Sequence, residues 1–289
     1  MNMKKLTSAL LILSLVSCRS LIKEERSGCP AWIQLKADRM VNEQLWPYFS
    51  FRMMNPEADW VQRQVTQTET FCTEGMSFSW KKHSPLEVVC VSNWSETFSE
   101  DGNILLIPLG QECPESLAGC AQAQTEEAEQ YVVEVPLQSL FTTFYCEVEI
   151  LEKDIPLLLQ VSSDVDGYTL PGLTLHEGSY RVKAREIGTH SYTVRIPRQT
   201  TPSGTTVYAG SLMLDLLTLD DETKGWVPFQ SLPLGEMATL RGYDWSQAIL
   251  DECHILLTLE GRVLVNYSIQ VQEWETDVVH LNHWNHSFN

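Results

Sequence analysis

The chain has 289 residues, with 20 Lys and Arg against 38 Asp and Glu, a net charge of −18. Such a surface repels phosphate backbones and anionic headgroups, which argues against nucleic acid as a partner. A hydrophobic content of 43% with nine Trp supports packed cores and argues against disorder, and the length suggests two domains.

Lys4 and Lys5 open the chain as a short positive region, followed by Leu10-Leu11-Ile12-Leu13 and Leu15-Val16 around a single Ser14. This is the layout of a secretory signal, and it falls short of the roughly 20 apolar residues that a membrane-spanning helix needs. Leu15-Val16-Ser17-Cys18 looks like a bacterial lipobox, which predicts cleavage between Ser17 and Cys18 and acyl chains on the Cys18 sulfur. The alternative is an ordinary signal that ends in cysteine; four matching positions at the right distance from the lysines weigh against it. Loss of Lys4 and Lys5 leaves 18 basic against 38 acidic residues, a net of −20. The expected organisation is a signal peptide over 1–17, a lipidated polar tether over 18–28, one β domain over 29–125 and a second over 126–289 with a short C-terminal tail. No later apolar stretch is long enough to span a bilayer, so the protein is expected to sit on a membrane through its lipid.

Beyond the tether the persuasive segments have strand character. Ala31 to Ala37 sets Trp32, Gln34 and Lys36 against Ile33, Leu35 and Ala37, and Met76 to Trp80 alternates with period two. Leu86 to Val91 and Ile104 to Leu109 are short apolar runs bounded by Pro, Asn or Gly, as in buried strands. From Gln111 to Gln130 the rhythm breaks into Cys113, Pro114, Gly119, Cys120 and a polar run, read as a linker or exposed crossover with one or two helical turns near Thr125 to Glu129. In the second half Phe144, Cys146, Val148 and Ile150 share a face, as do Tyr192, Val194 and Ile196, and Val207 to Leu219 is a long apolar run. The last hairpin is the clearest element: Ile255 to Leu259 passes through Glu260-Gly261 into Val263, Val265, Tyr267, Ile269 and Val271. Asp244-Trp245-Ser246-Gln247 reads as a capping box opening a short helix through Leu250. The predicted fold is all-β, two consecutive antiparallel β-sandwiches.

Seven cysteines remain after Cys18; the number is odd, and Cys113 with Cys120 closes the shortest loop open to a disulfide. Cys90 and Cys146 lie in strand-like runs and read as buried thiols. His280, His283 and His286 recur at three-residue spacing, but residues three apart on a strand face opposite ways, so no metal is assigned. Asp164-Val165-Asp166-Gly167 resembles a fragment of a calcium loop without its closing Glu and reads as a turn; Asp220-Asp221-Glu222 reads as a solvated loop. No nucleophile-elbow, zinc-protease, P-loop or dinucleotide fingerprint occurs, so no enzymatic activity, cofactor or small-molecule substrate is expected. Trp60, Trp94, Trp226 and Trp284 could stack on sugars, although core packing is the commoner role for Trp.

Taken with the lipobox, several segments resemble the FimB-type anchor and assembly subunits of Bacteroidetes type V fimbriae. Cys29-Pro30 followed by a strand resembles the opening of that family's first domain. Leu86 to Trp94 resembles its strand ending near a tryptophan, and Pro114 to Gly119 its Leu-x-Gly connection. Val133 to Leu151 is similar to the paired opening strands of its second domain, and Ile269 to Trp274 to its closing strand. Lys23-Glu24-Glu25 resembles the Lys-acidic-acidic surface-export signal of Bacteroidetes lipoproteins. The resemblance implies two transthyretin-like sandwiches, a surface-exposed place on the cell outer membrane and fimbrial stalk or accessory subunits as partners. It also implies assembly by strand addition, in which a β-strand of one subunit completes an open sheet of another. A surface lipoprotein that binds glycans is the alternative expectation.

Overall fold

The structure is a computed structural model that describes residues 30–58, 60–94, 98–126, 128–152, 155–200 and 209–272. In chain order come β1 (Ala31–Ala37), β2 (Tyr48–Asn55), β3 (Trp60–Gln67), α1 (Thr68–Thr73), β4 (Met76–Trp80) and β5 (Pro85–Ser92). A small hairpin follows, β6 (Ser99–Asp101) and β7 (Ile104–Leu106), then β8 (Leu117–Gln124), β9 (Gln130–Val135) and β10 (Leu137–Ser139). The second half holds β11 (Phe141–Ile150), β12 (Leu157–Thr169), β13 (Thr174–Lys183), β14 (Arg185–Gly188) and β15 (Ser191–Pro197). The chain then runs through a 3-10 turn at Ala209–Ser211, β16 (Met213–Leu219), β17 (Trp226–Leu232), α2 (Leu234–Leu240), β18 (Glu252–Glu260) and β19 (Val263–Gln272).

These strands form two pairs of sheets. The first pair is β4-β1-β9 and β10-β8-β5-β2-β3, and the second has β14-β15-β11-β18-β19 as one member. The other member centres on the long β12. One edge of β12 carries β13, and the other carries β16 and β17 along its first part and β7 and β6 along its last. The fold is all-β, with antiparallel pairing throughout except β1 with β9 and β11 with β18. Alternation decides which side of each strand is buried: Ala31, Ile33 and Leu35 face inward from β1 while Trp32 stays exposed, and Met76, Phe78 and Trp80 do the same in β4. Phe71 of α1 plugs the first core, its ring centroid 5.4 Å from Phe49 and 4.9 Å from Phe51.

Several sequence expectations need correction. The 111–130 stretch is not a linker: Leu117–Gln124 is an internal strand between β5 and β10, with Leu117 and Ala118 buried. Its small residues hid it. A Cβ on Gly119 would lie 2.7 Å from the Pro136 carbonyl oxygen, so the strand is buried by close backbone approach and not by bulk. Asp164 to Gly167 is not a turn but part of β12, and a Cβ on Gly167 would lie 2.3 Å from the Leu105 carbonyl oxygen where β7 packs. Asp244 opens a turn and no helix; its carboxylate accepts from the Ser246 amide at 2.9 Å and hydroxyl at 2.6 Å. Pro108 follows a β7 that is only three residues long, and Leu109 is exposed. Cys113 and Cys120 are both free thiols, directed at the carbonyls of Leu140 (3.6 Å) and Gly172 (3.8 Å) respectively.

The two pairs of sheets are stitched together. The β6–β7 hairpin pairs with β12 of the second pair, while Glu100 on it meets Arg63 at 2.7 Å and Arg52 at 3.3 Å from the first. Arg52 also donates to the Asn103 side chain at 2.9 Å. Deeper in the junction lies Arg198, only 1% exposed. Its Nε donates to Thr200 O at 3.1 Å, and its Nη1 to Ser139 O at 3.1 Å and Ala248 O at 3.2 Å. Its Nη2 donates to Trp245 O at 3.3 Å and to Gln247 O, so all five guanidinium donors are used on backbone carbonyls. Burial lowers the Arg198 pKa, and the converging carbonyl dipoles carry the compensation for its lost hydration. Replacing Arg198 with Met should therefore cost about 3 kcal/mol or more, because it strands several buried carbonyls at once. Chemical denaturation checks this, and Arg198→Lys should recover only part of the loss.

Candidate assembly surfaces

Two surface features belong to the β14-β15-β11-β18-β19 sheet. The first is a polar groove of about 200 Å³ on its outer face, floored by Thr143, Tyr145, Thr193 and Arg195, with Glu112, Glu115, Arg185 and Glu252 around it. Strand alternation brings the floor residues to one face, since Thr143, Tyr145, Thr193 and Arg195 are cross-strand neighbours in β11 and β15. Arg195 reaches Glu115 at 2.8 Å and Glu112 at 3.5 Å, tying the 111–116 loop to the sheet. The Tyr145 hydroxyl donates to Glu252 at 3.5 Å, and its ring stacks on His254 at 4.8 Å. The groove is thus a mixed-charge network whose carboxylates already face partners, a surface suited to polar contacts.

The second feature is the rim of the same sheet. β14 is a four-residue edge carrying Arg185 and Glu186, whereas β19 is a ten-residue edge with the sequence Val-Leu-Val-Asn-Tyr-Ser-Ile-Gln-Val-Gln. It leaves β18 through a two-residue turn with Gly261 at φ +60°. Among the described residues no strand pairs with its outer side.

The sequence-predicted residues fall as follows. Ser17, Cys18, Lys23, Glu24, Glu25, Cys29, Trp274, Trp284 and the three C-terminal histidines lie outside the described residues. Trp94 is buried and Trp226 is partly exposed at the start of β17; the Trp60 side chain is not among those described. Asp166 pairs with His176 Nδ1 at 2.7 Å across β12 and β13, and Asp220 accepts from the Thr223 amide and hydroxyl and the Glu222 amide, which lowers its pKa. Among the described residues no three or more His, Cys, Asp and Glu gather to hold a metal ion, and no helix is long and apolar enough to cross a membrane. Neither the groove nor the rim was read from the sequence. The groove is built from five separated segments, whereas the uncharged run of β19 was in plain view.

No family model matches the sequence, and no curated protein matches it. Solved structures do match. The fimbrial anchor protein Mfa2 from Porphyromonas gingivalis superposes with a TM-score of 0.60 at 9% identity, covering 84% of this chain and 99% of that one. A candidate adhesin from Bacteroides ovatus gives 0.59 at 11% identity, covering 86% and 96%. A Bacteroides thetaiotaomicron chain described as a candidate polysaccharide-binding protein gives 0.57 at 7% identity, covering 86% and 100%.

The described cysteines offer little nucleophilic chemistry. Burial pushes the Cys146 and Cys253 thiols up to about 12, and Cys90 and Cys113 are raised for the same reason. Unfolded thiols ionise near about 8.5, so this contribution to stability is intact below that pH and is lost as pH rises toward 12. Alkylation at pH 8 followed by mass spectrometry should label the partly exposed Cys72 and Cys120 first, with Cys90, Cys113, Cys146 and Cys253 modified only on unfolding. The fold that these comparisons establish is the paired-sandwich architecture found in the fimbrial anchor protein Mfa2 and in Bacteroides chains described as candidate adhesins.

Proposed function

We propose that this chain is a non-enzymatic outer-membrane lipoprotein that anchors or assembles a fimbrium through β-strand-mediated subunit contacts. Cleavage after Ser17 and acylation of Cys18 fix it to the membrane, and Lys23-Glu24-Glu25 directs it to the cell surface. The observation that carries the reading is a fold shared over 84% of the chain with a protein named as a fimbrial anchor. The lipobox-like Leu15–Cys18 supports the same reading, since an anchor needs an attachment to the membrane. Two acyl chains hold a protein stably where one does not, since each buried methylene contributes about 0.8 kcal/mol. Its partners are stalk or accessory subunits of the fibre.

A second reading, a glycan-binding surface lipoprotein, is favoured by the polar groove, by the partly exposed Trp226 and by the description of one structural neighbour. The first reading predicts that Cys18→Ala moves the protein from the membrane fraction to the soluble fraction. It also predicts that the wild-type chain co-purifies with fimbrial subunits from detergent-solubilised outer membrane. Glycan-array binding that is lost in Trp226→Ala, without recovery of any fimbrial subunit, would replace it with the second.

A further inference from the structure

An indole gains most when its rings are buried and its N–H finds an acceptor. Trp46, Trp80 and Trp245 follow that rule. Each is buried, and their Nε1 atoms donate to Glu115 O at 2.9 Å, Pro85 O at 3.2 Å and the Thr239 hydroxyl at 3.0 Å respectively. Trp32 does neither. It lies on β1, the central strand of the β4-β1-β9 sheet, and is 55% exposed. Among the described residues its Nε1 meets no acceptor. Strand alternation explains the position: Ala31, Ile33 and Leu35 take the core face of β1 and leave Trp32 on the outer one.

A single exposed apolar side chain is ordinary, so the surroundings decide what this one means. Ser79 of β4 and Gln130 of β9 are its direct cross-strand partners, and Gln34, Ser77 and Val132 form the next row of the same face. Ser77, Ser79, Gln130 and Val132 are exposed, while Gln34 is pinned by its amide donating to Glu74 O at 2.7 Å. The ring therefore stands clear of its neighbours, with hydroxyls and an amide at its margin. Within the three strands, the ionisable residues on this face are Lys36 and Glu134, which oppose one another further along β1 and β9. At ~3.3 Å per residue, they lie roughly 13 Å from Trp32 and Gln130.

We infer that this face is a shallow binding site for an uncharged polysaccharide, with a pyranose ring stacked on Trp32 and its hydroxyls met by Ser77, Ser79 and Gln130. A sugar ring matches both properties of the surface. Its C–H face is apolar and lies flat on an indole, and its hydroxyls donate and accept as serine and amide groups do. Size selects against a protein partner. Three strands of the length of β1 measure about 23 Å by 14 Å, roughly 300 Å², well under the ~800 Å² that each side of a stable protein interface buries. Charge selects within the class, since a chain of net −18 with uncharged groups around Trp32 repels uronates and sulfates. The site belongs to the first pair of sheets, apart from the polar groove and from Trp226, and adds a polysaccharide contact to an anchor without displacing that role.

Affinity electrophoresis tests this with the full-length lipoprotein in detergent. The gels hold a neutral β-glucan, a neutral α-mannan, a neutral galactan or polygalacturonate, and phosphatidylcholine vesicles form a separate arm. The expected result is retardation by at least one neutral polysaccharide and none by polygalacturonate. Trp32→Ala should weaken it at least tenfold, and Ser79→Glu, a change at an exposed position, should do the same, both with an unchanged thermal midpoint. Trp32→Phe should keep part of the binding. The inference is overturned if no neutral polysaccharide retards the protein, if polygalacturonate retards it more, or if neither variant changes the retardation. Loss in Trp226→Ala alone, or Trp32-dependent binding to the vesicles in place of the polysaccharides, overturns it as well. Recovery of fimbrial subunits from outer membrane should be the same for wild type and Trp32→Ala; a loss in the variant makes this face a subunit contact and removes the inference. Wild type that recovers no subunit, with retardation intact, removes the fimbrial reading alone.

Discussion

A single buried guanidinium organises the junction on which both halves of this molecule depend. Arg198 follows the end of β15 and gathers carbonyls from Ser139, Thr200 and the 245–248 loop. Its own amide donates to Leu140 O at 3.0 Å, the carbonyl that also accepts from the Tyr168 hydroxyl. Ser139 and Leu140 are where the chain leaves β10 of one pair of sheets for β11 of the other. Buried carbonyls at such a crossing need donors, and a loop of this kind cannot supply them from its own backbone. A planar group with five fixed donors meets that need in one residue; an ammonium with three does not. The surroundings share the task, with Ser139 N bonding to Ala248 O at 2.8 Å and Leu250 N to the Ser139 hydroxyl at 3.0 Å.

Where bulk and period agreed, the sequence was readable. Ile33 and Leu35, Met76 to Trp80, the Phe144–Cys146–Val148 face and β18 of the last hairpin set large apolar residues inward as expected. In β19 only Tyr267, Ile269 and Val271 keep the expected face, because a bulge opposite Thr258 and Leu259 leaves Val263 and Val265 exposed. Where burial was achieved by smallness, it was not. Ala118 and Gly119 have nearly no hydrophobic signal, yet they sit in a strand internal to its sheet because neighbouring backbone comes too close for anything larger. Gly167 misled in the same way, since Asp-Gly is also the signature of a turn. The short helices were missed for another reason: α1 and α2 are six and seven residues long, too brief for a helical period to show, and both are held by packing.

The surfaces posed a different problem. A groove assembled from β11, β14, β15, β18 and the 111–116 loop has no local signature, because its charges converge only after these strands have paired and the loop has packed on their sheet. A strand edge is nearly the reverse. The uncharged character of β19 is written in ten consecutive residues, but its meaning depends on knowing that this strand is last in its row, which pairing alone reveals.

The β6–β7 hairpin has a consequence for how the molecule can be divided. Its residues lie between β5 and β8 in the chain, yet its hydrogen bonds belong to the sheet built on β12, and Glu100 reaches back to Arg52 and Arg63. A fragment cut out as residues 141–272 would lack two strands of its larger sheet, and one ending near 139 would carry a hairpin with nowhere to lie. Neither half is therefore a transplantable part, and heat or force that opens one should release the other in the same event.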